Sequence, residues 1–142
     1  MKATFLTSVL VALSFTANVN ANNVNTYSNI EATESGTKKE YISVNKESLK
    51  PLTKSFYNYD SDGRILEKTF SKWSYEKGWE VTGRYEYIYN DVSKVASIIY
   101  TDTNGTDAKE RLLVYLYDEN DEFLSIEQIE INDVNSNVFT LK

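Results

Sequence analysis

A tyrosine phrase that returns three times constrains the fold of this chain more than any other feature. Residues 57–60 read Tyr-Asn-Tyr-Asp, residues 87–90 read Tyr-Ile-Tyr-Asn, and residues 115–118 read Tyr-Leu-Tyr-Asp. The second tyrosines of the three phrases are 30 and 28 residues apart. A turn signal and then an apolar run follow each phrase. A near-constant spacing is typical of stacked supersecondary units, so it predicts tandem β-hairpin repeats.

Residues that favour strands dominate the chain after Leu52, and the whole sequence contains 11 tyrosines. The pair Asn104-Gly105 is the strongest hairpin signal, because a type I′ turn needs positive φ at both central residues. Residues 109–117 are the best helical alternative, and the alignment of the repeats argues against a helix there. The predicted strands are 41–44, 52–60, 64–75, 79–90, 94–102, 108–118 and 122–131, with 138–141 as a candidate edge strand.

These strands and turns predict an all-β fold. Consecutive strands joined by short turns form an antiparallel β-meander, here of about six to eight strands built from tandem hairpin repeats. Apolar residues occur on both alternating faces of the strands. We therefore expect a single curved or partly rolled sheet.

The first 21 residues differ from the rest. Lys2 is their one charge, an apolar run of about 13 residues follows, and Val19-Asn20-Ala21 resembles a signal-peptidase site. The run is short of the roughly 20 residues that a membrane span requires, so the alternative of a short anchor is disfavoured. We predict a signal peptide at 1–21, a flexible polar leader at 22–40 and a β-repeat domain at 41–142. The expected location is secreted or periplasmic, with no membrane insertion.

The composition excludes several functional classes. The chain has no cysteine and no histidine, which removes disulfides, thiol nucleophiles, Ser-His-Asp sites and the commonest zinc ligands. Its 15 basic and 21 acidic residues give a net charge of −6. An acidic chain with scattered basic residues offers no electrostatic surface for nucleic acid.

The aromatic residues are the candidate ligand contacts. Trp73 and Trp79 flank the Gly78 turn and occur in one repeat alone, so they are candidate binding residues together with Tyr75, Tyr85 and Tyr87. Two interpretations remain open. The recurring tyrosines either form cross-strand pairs that hold the sheet together, or form a platform for sugar rings or a peptide. The tryptophans are either a binding edge or a cross-strand pair that closes their hairpin.

The acidic residues give weaker signals. Residues 60–63 (Asp-Ser-Asp-Gly) resemble part of a calcium loop but lack its further ligands and flanking helices, so no metal site or cofactor is predicted. Paired carboxylates can hydrolyse glycosides without histidine. Two pairs at turns or on alternating strand positions, Asp60 with Glu67 and Asp118 with Glu127, are the candidates for this weakest alternative.

Residues 57–66 (Tyr-Asn-Tyr-Asp-Ser-Asp-Gly-Arg-Ile-Leu) resemble the tyrosine-aspartate, or YD, repeat of Rhs-like proteins. The later copies depart from it, since Asn90 replaces the aspartate and Ser93-Lys94 and Asp121-Glu122 replace Gly-Arg. The signal peptide, polar leader and tyrosine-rich repeats together resemble small secreted Bacteroidetes proteins of a family of unknown function. This resemblance implies an exported β-protein and supplies no catalytic residues.

The sequence predicts a protein that is not an enzyme but a binding or interaction module, with a glycan, protein or peptide as partner. The alternative is a structural protein, or a homo-oligomer that assembles through unprotected sheet edges.

Overall fold

The structure is a computed structural model that describes residues 23–105 and 107–131, together with the backbone of residues 9–11. The rest of the predicted signal peptide and the candidate strand at 138–141 lie outside the described residues.

The described residues form nine antiparallel strands in one sheet, and each strand pairs with its neighbours in sequence. Among these strands, β1 and β9 lie at opposite edges and do not pair with each other. The strands are β1 (Val9–Val11), β2 (Val24–Thr33), β3 (Gly36–Asn45), β4 (Pro51–Asp60), β5 (Ile65–Ser74), β6 (Gly78–Tyr89), β7 (Val95–Asp102), β8 (Lys109–Tyr117) and β9 (Phe123–Ile131).

The predicted all-β meander is confirmed. The six strands expected between residues 52 and 131 all form, with boundaries that differ from the prediction by no more than one residue. The helical alternative at 109–117 is wrong, because these residues are β8. Pro51 is the first residue of β4, a position where its missing N–H costs little.

The flexible leader predicted for residues 22–40 is wrong from residue 24 onward. Val24–Thr33 forms β2, which pairs along its whole length with β3. The prediction assumed that a strand must bury apolar surface to offset its ordering entropy. In this sheet the polar strand β2 is instead held by its backbone pairing with β3.

The connection between β7 and β8 also differs from the prediction. Neither Asn104 nor Gly105 has positive φ, so the expected type I′ turn is absent. Residues 103–108 connect β7 to β8, and this connection is longer than the two-residue loop of a type I′ hairpin. The carboxylate of Asp102 accepts a hydrogen bond from the Asn104 N–H at 2.9 Å.

The described part of the chain forms a single-layer sheet with almost no buried side chains. Among the described residues Ile98, 8% exposed, is the one buried hydrophobic side chain, and Ser71, 5% exposed, is the one buried polar side chain. Ile98 lies between Tyr87 and Leu113 in the register. Stability must therefore come from the backbone ladder and from cross-strand side-chain contacts.

Strand register defines two faces. Directly opposite residues share a face, and successive residues along a strand alternate between faces. We call the face that carries Tyr57, Phe70 and Tyr85 the tyrosine face. On β5, Phe70 and Trp73 are three positions apart, so Trp73 points to the opposite side, which we call the reverse face.

Candidate binding surface

Three turns at one end of the sheet share one hydrogen-bond pattern. In residues 60–64, 90–94 and 118–122, which we call the matched turns, the first side chain accepts N–H bonds from the third and fifth residues through its Oδ1. The fourth residue has positive φ in each turn, namely Gly63, Ser93 and Asp121. Loss of the glycine in the two later turns therefore leaves the backbone conformation unchanged.

Basic side chains link the first two matched turns to the next one. The guanidinium of Arg64 lies 5.1 Å from the ring centroid of Tyr89 and donates to the hydroxyl of Ser93 at 2.9 Å. The ammonium of Lys94 lies over the ring of Tyr117 and donates to the Asp121 carbonyl.

The tyrosines under these cations also bond to the neighbouring hairpin. The hydroxyl of Tyr89 donates to the carbonyl of Ile65, and that of Tyr117 donates to the carbonyl of Val95, both at 2.7 Å. These contacts join successive hairpins at this end of the sheet.

Edge-to-face rings cross the centre of the tyrosine face. The centroids of Tyr57 and Phe70 are 6.4 Å apart and those of Phe70 and Tyr85 are 6.2 Å apart, with both pairs close to perpendicular. Tyr41 and Tyr100 extend this row to β3 and β7. Perpendicular neighbours alternate ring face with ring edge, so they do not form the flat row of rings on which a planar ligand stacks.

The predicted binding residues Tyr85 and Tyr87 lie on this face and are engaged by sheet neighbours. Tyr85 contacts Phe70 and stacks on Tyr100. The ammonium of Lys68 lies 5.3 Å from the ring centroid of Tyr87, and a hydrogen bond with that tyrosine raises the pKa of Lys68. These contacts favour the interpretation of the tyrosines as a scaffold.

Trp73 and Trp79 form a cross-strand pair on the reverse face. They are directly opposite in the register of β5 and β6, with centroids 5.2 Å apart and ring planes at 75°. The ammonium of Lys54 lies 5.0 Å from the Trp79 centroid. A Cβ added to Gly78, where φ is +78°, would be in ordinary van der Waals contact with the Trp73 ring. The geometry fits a ring pair that closes its hairpin, and it also leaves both rings half-exposed.

Exposed apolar side chains surround this pair. Val81 lies two residues after Trp79 on β6 and is 45% exposed. Leu52 precedes the Thr53–Lys72 register pair, which puts it beside Trp73, and it is 38% exposed. Tyr75, in the turn after β5, is 72% exposed. We call the surface formed by these five residues the tryptophan corner.

The five predicted binding residues therefore do not form one surface but lie on two faces of the sheet. The tryptophan corner contains Trp73, Tyr75 and Trp79, whereas Tyr85 and Tyr87 lie on the other face. Sequence reasoning missed Leu52, Val81 and the lysines that reach this region. The ammonium of Lys50 lies 4.9 Å from the Tyr75 centroid, although the two residues belong to different turns. Alternation along β6 was the available signal for Val81, because it lies two residues after Trp79 and before the register shift.

Three of the four acidic residues proposed for catalysis, Asp60, Glu67 and Asp118, have structural partners. Partial burial acts to raise the pKa of Asp60, but hydrogen bonds from the backbone and side chain of Arg64, together with its charge, outweigh this and lower the pKa. A general acid needs the opposite shift. Glu67 accepts a hydrogen bond from Thr69, and Asp118 accepts the N–H bonds of its own turn. No group of three or more acidic side chains in the described chain is placed to hold a metal ion.

Comparison of the chain with protein-family models, with curated proteins and with solved structures gave no match. Across the described residues, no helix has the length and apolar character needed to cross a membrane. The fold and the candidate surface thus define an open, single-layer β-meander with an exposed aromatic corner.

Proposed function

We propose that this chain is a secreted or periplasmic, non-catalytic binding module whose ligand contacts the tryptophan corner. The observation that carries this proposal is the set of exposed apolar side chains around Trp73 and Trp79. Large apolar groups gathered at one surface are typical of interaction sites. Tryptophan and tyrosine are also the side chains most enriched among the residues that dominate binding energy.

The chemistry of the corner favours a glycan or an extended peptide. Indole and phenol rings present flat apolar faces to sugar rings or aliphatic side chains, and tyrosine adds a hydroxyl. Lys50 and Lys54 place ammonium groups within 5.0 Å of two ring centroids. These cations can pair with a carboxylate of the ligand once they leave the rings.

A combined glycan and peptide array tests the proposal. The chain without its predicted signal peptide is applied to the array, and bound spots are then probed with variants. Trp79→Ala and Tyr75→Ala should each lose the bound spots. The matched control is Ile88→Ala, since Ile88 is exposed on the same face near a matched turn.

Stability measurements separate binding from folding. Tyr75 is 72% exposed, so Tyr75→Ala should lower the free energy of unfolding by no more than about 1 kcal/mol and should leave the thermal midpoint close to that of the unmodified chain. Loss of binding in Tyr75→Ala with an unchanged midpoint supports the proposal. Retained binding in both corner variants contradicts it.

A second function, assembly with another copy of this chain through β9, is favoured by one observation. All nine residues of β9 are exposed, including Phe123, Leu124 and three isoleucines. The strand carries two glutamates and none of the lysines or prolines that protect many sheet edges. A strand of this kind is a template for strand addition.

Light scattering at micromolar concentration tests the second function. Edge assembly predicts an oligomer that Ile129→Lys converts to a monomer, whereas Val92→Lys, in a matched turn, leaves it intact. A monomer in the unmodified chain contradicts assembly through β9.

A further inference from the structure

We propose that Tyr85 and Tyr100 form a site of oxidative cross-linking, at which a peroxide-dependent one-electron oxidant joins β6 to β7 through a carbon–carbon bond between the two rings. The site is separate from the tryptophan corner and does not depend on ligand binding.

The arrangement of this ring pair differs from that of every other ring contact within the described chain. Tyr85 and Tyr100 are directly opposite in the register. Their centroids are 4.5 Å apart and their planes meet at 30°. The other ring pairs have centroids at least 5.2 Å apart and planes at 53° or more. Tyr85 and Tyr100 are thus the pair of tyrosines that is both close and nearly parallel.

The register also orients the two side chains alike. Directly opposite residues of adjacent strands project from the same face of the sheet, so both phenol rings leave the backbone on the same side. In a phenoxyl radical the unpaired electron is shared between the oxygen and the ring carbons beside it, the Cε atoms. Rings stacked at 30° with centroids 4.5 Å apart bring the carbons of one ring close to those of the other. In a perpendicular pair such as Tyr41 and Tyr57, at 80°, one ring must first rotate.

The reaction balances with hydrogen peroxide as the final oxidant. Each tyrosine gives one electron and its phenolic proton, and the two radicals then pair their electrons in a new Cε–Cε bond. Each bonded Cε loses its hydrogen as a proton, and each oxygen regains a proton, which restores both aromatic phenols. Peroxide takes up two electrons and two protons in total and leaves as two waters, so the chain loses two hydrogen atoms.

The environment of the pair suits this chemistry. Burial, the Asp102 carboxylate and Tyr85 raise the pKa of Tyr100, so that Tyr100 enters the reaction as the neutral phenol. Both rings are half-exposed on the tyrosine face, where a small oxidant reaches them. The Tyr100 ring packs over Gly83, where an added Cβ would be in ordinary van der Waals contact with it.

A cross-link at this place has a structural consequence. The chain has no cysteine and therefore no disulfide, and few side chains are buried in the residues that the structure describes. A covalent bond between β6 and β7 restricts the unfolded chain in the way that a disulfide does. We therefore expect the cross-linked protein to have a higher thermal midpoint than the untreated protein.

The test treats the dilute full-length chain with horseradish-type peroxidase and hydrogen peroxide. Dityrosine fluorescence, the intact mass and peptide mapping are then measured. The expected product is an intramolecular link between Tyr85 and Tyr100 with a mass loss of two hydrogens. Tyr85→Phe and Tyr100→Phe keep the stacked rings and should abolish the product. Tyr57→Phe and Tyr75→Phe should form it in full.

Three results would overturn the proposal. They are a product that persists in Tyr100→Phe, a link that maps to another pair of tyrosines, and the absence of any intramolecular link in the unmodified chain. Tyr75 is the informative control, because it is the most exposed tyrosine among the described residues and would dominate if exposure alone decided reactivity.

Discussion

The two ends of the sheet differ in how they use the same kinds of residues. At the end with the matched turns, the first side chain of each turn accepts hydrogen bonds from two backbone N–H groups. Arg64 and Lys94 each donate a hydrogen bond to the following turn. At the end with the tryptophan corner, Leu49 adopts φ of 55° and is 70% exposed, and Tyr75 is 72% exposed. At the matched-turn end, polar and aromatic side chains contact the neighbouring hairpins. At the tryptophan corner, apolar side chains remain exposed and are available to a partner.

This difference identifies which aromatic residues belong to the frame. Some tyrosines donate their hydroxyl to a neighbouring hairpin and have a cation over their ring. In such a tyrosine neither the hydroxyl nor that ring face is free to contact a ligand. Tyr89 and Tyr117 meet both conditions. We therefore expect substitutions at the matched-turn end to reduce stability, and substitutions at the tryptophan corner to reduce binding.

The largest loss of stability is expected for Gly36→Ala, at the matched-turn end. An added Cβ would lie 2.0 Å from the Tyr59 carbonyl oxygen, and φ at Gly36 is +143°. Backbone strain and overpacking together should cost about 3 kcal/mol of unfolding free energy, measured by urea denaturation. Gly63→Ala is the matched control, since its Cβ would meet nothing within 4 Å. It should cost about 1 kcal/mol through its positive φ alone, and equal losses would contradict this account.

Asn90→Ala should cost about 1–2 kcal/mol, because it removes the acceptor for the N–H groups of Val92 and Lys94. Asn90→Asp keeps Oδ1 and matches the residue found in the other two matched turns, so its stability should stay close to that of the unmodified chain. Denaturation of the two variants in parallel checks this. A loss in Asn90→Asp as large as in Asn90→Ala would show that the acceptor is unimportant.

Stability should decline in alkali through Tyr89. Burial, followed by the charges of Asp60 and Tyr87, raises its pKa above the ordinary value of 10.0. The folded state therefore holds the proton more tightly than the unfolded state. The contribution of Tyr89 is fully present below pH 10.0 and is lost as the pH rises through the folded-state pKa. Tyr89→Phe should unfold with a shallower dependence on pH in this range, and an unchanged slope would count against the coupling.

The smallest change in stability is expected for Tyr75→Ala at the tryptophan corner. The side chain is mostly exposed, and its contact with Lys50 is a surface cation–π interaction worth about 0.5–1 kcal/mol at most. Thermal unfolding should shift little. A large fall in the midpoint would mean that the corner also belongs to the structural frame.

Local sequence signals predicted most of the sheet. Turn residues such as Gly63 and Gly78, with strand-forming residues between them, set the limits of β4 to β9 to within one residue. The polar strand β2 was missed because the prediction required each strand to bury apolar surface. In this single-layer sheet, β2 is held by backbone pairing with β3 along its whole length. The Asn104-Gly105 signal was misleading, because the turn type depends on the length of the connection.

The candidate surface was predicted in part. The two tryptophans flank the Gly78 turn, and the interpretation of them as a cross-strand pair that closes their hairpin agrees with the structure. Sequence alone could not separate them from Tyr85 and Tyr87, since a register shift within β6 alters which residues share a face. Lys54 and Leu52 come from the preceding hairpin, and their position beside the tryptophans follows from register rather than from spacing.

The most direct test of the central claim compares the two faces in one binding experiment. The chain without its predicted signal peptide, Trp79→Ala, Tyr75→Ala and Tyr87→Ala are applied to the same glycan and peptide array. The account predicts that the bound spots disappear for the two corner variants and remain for Tyr87→Ala. Spots that disappear for Tyr87→Ala and remain for the corner variants would contradict it and make the tyrosine face the binding surface.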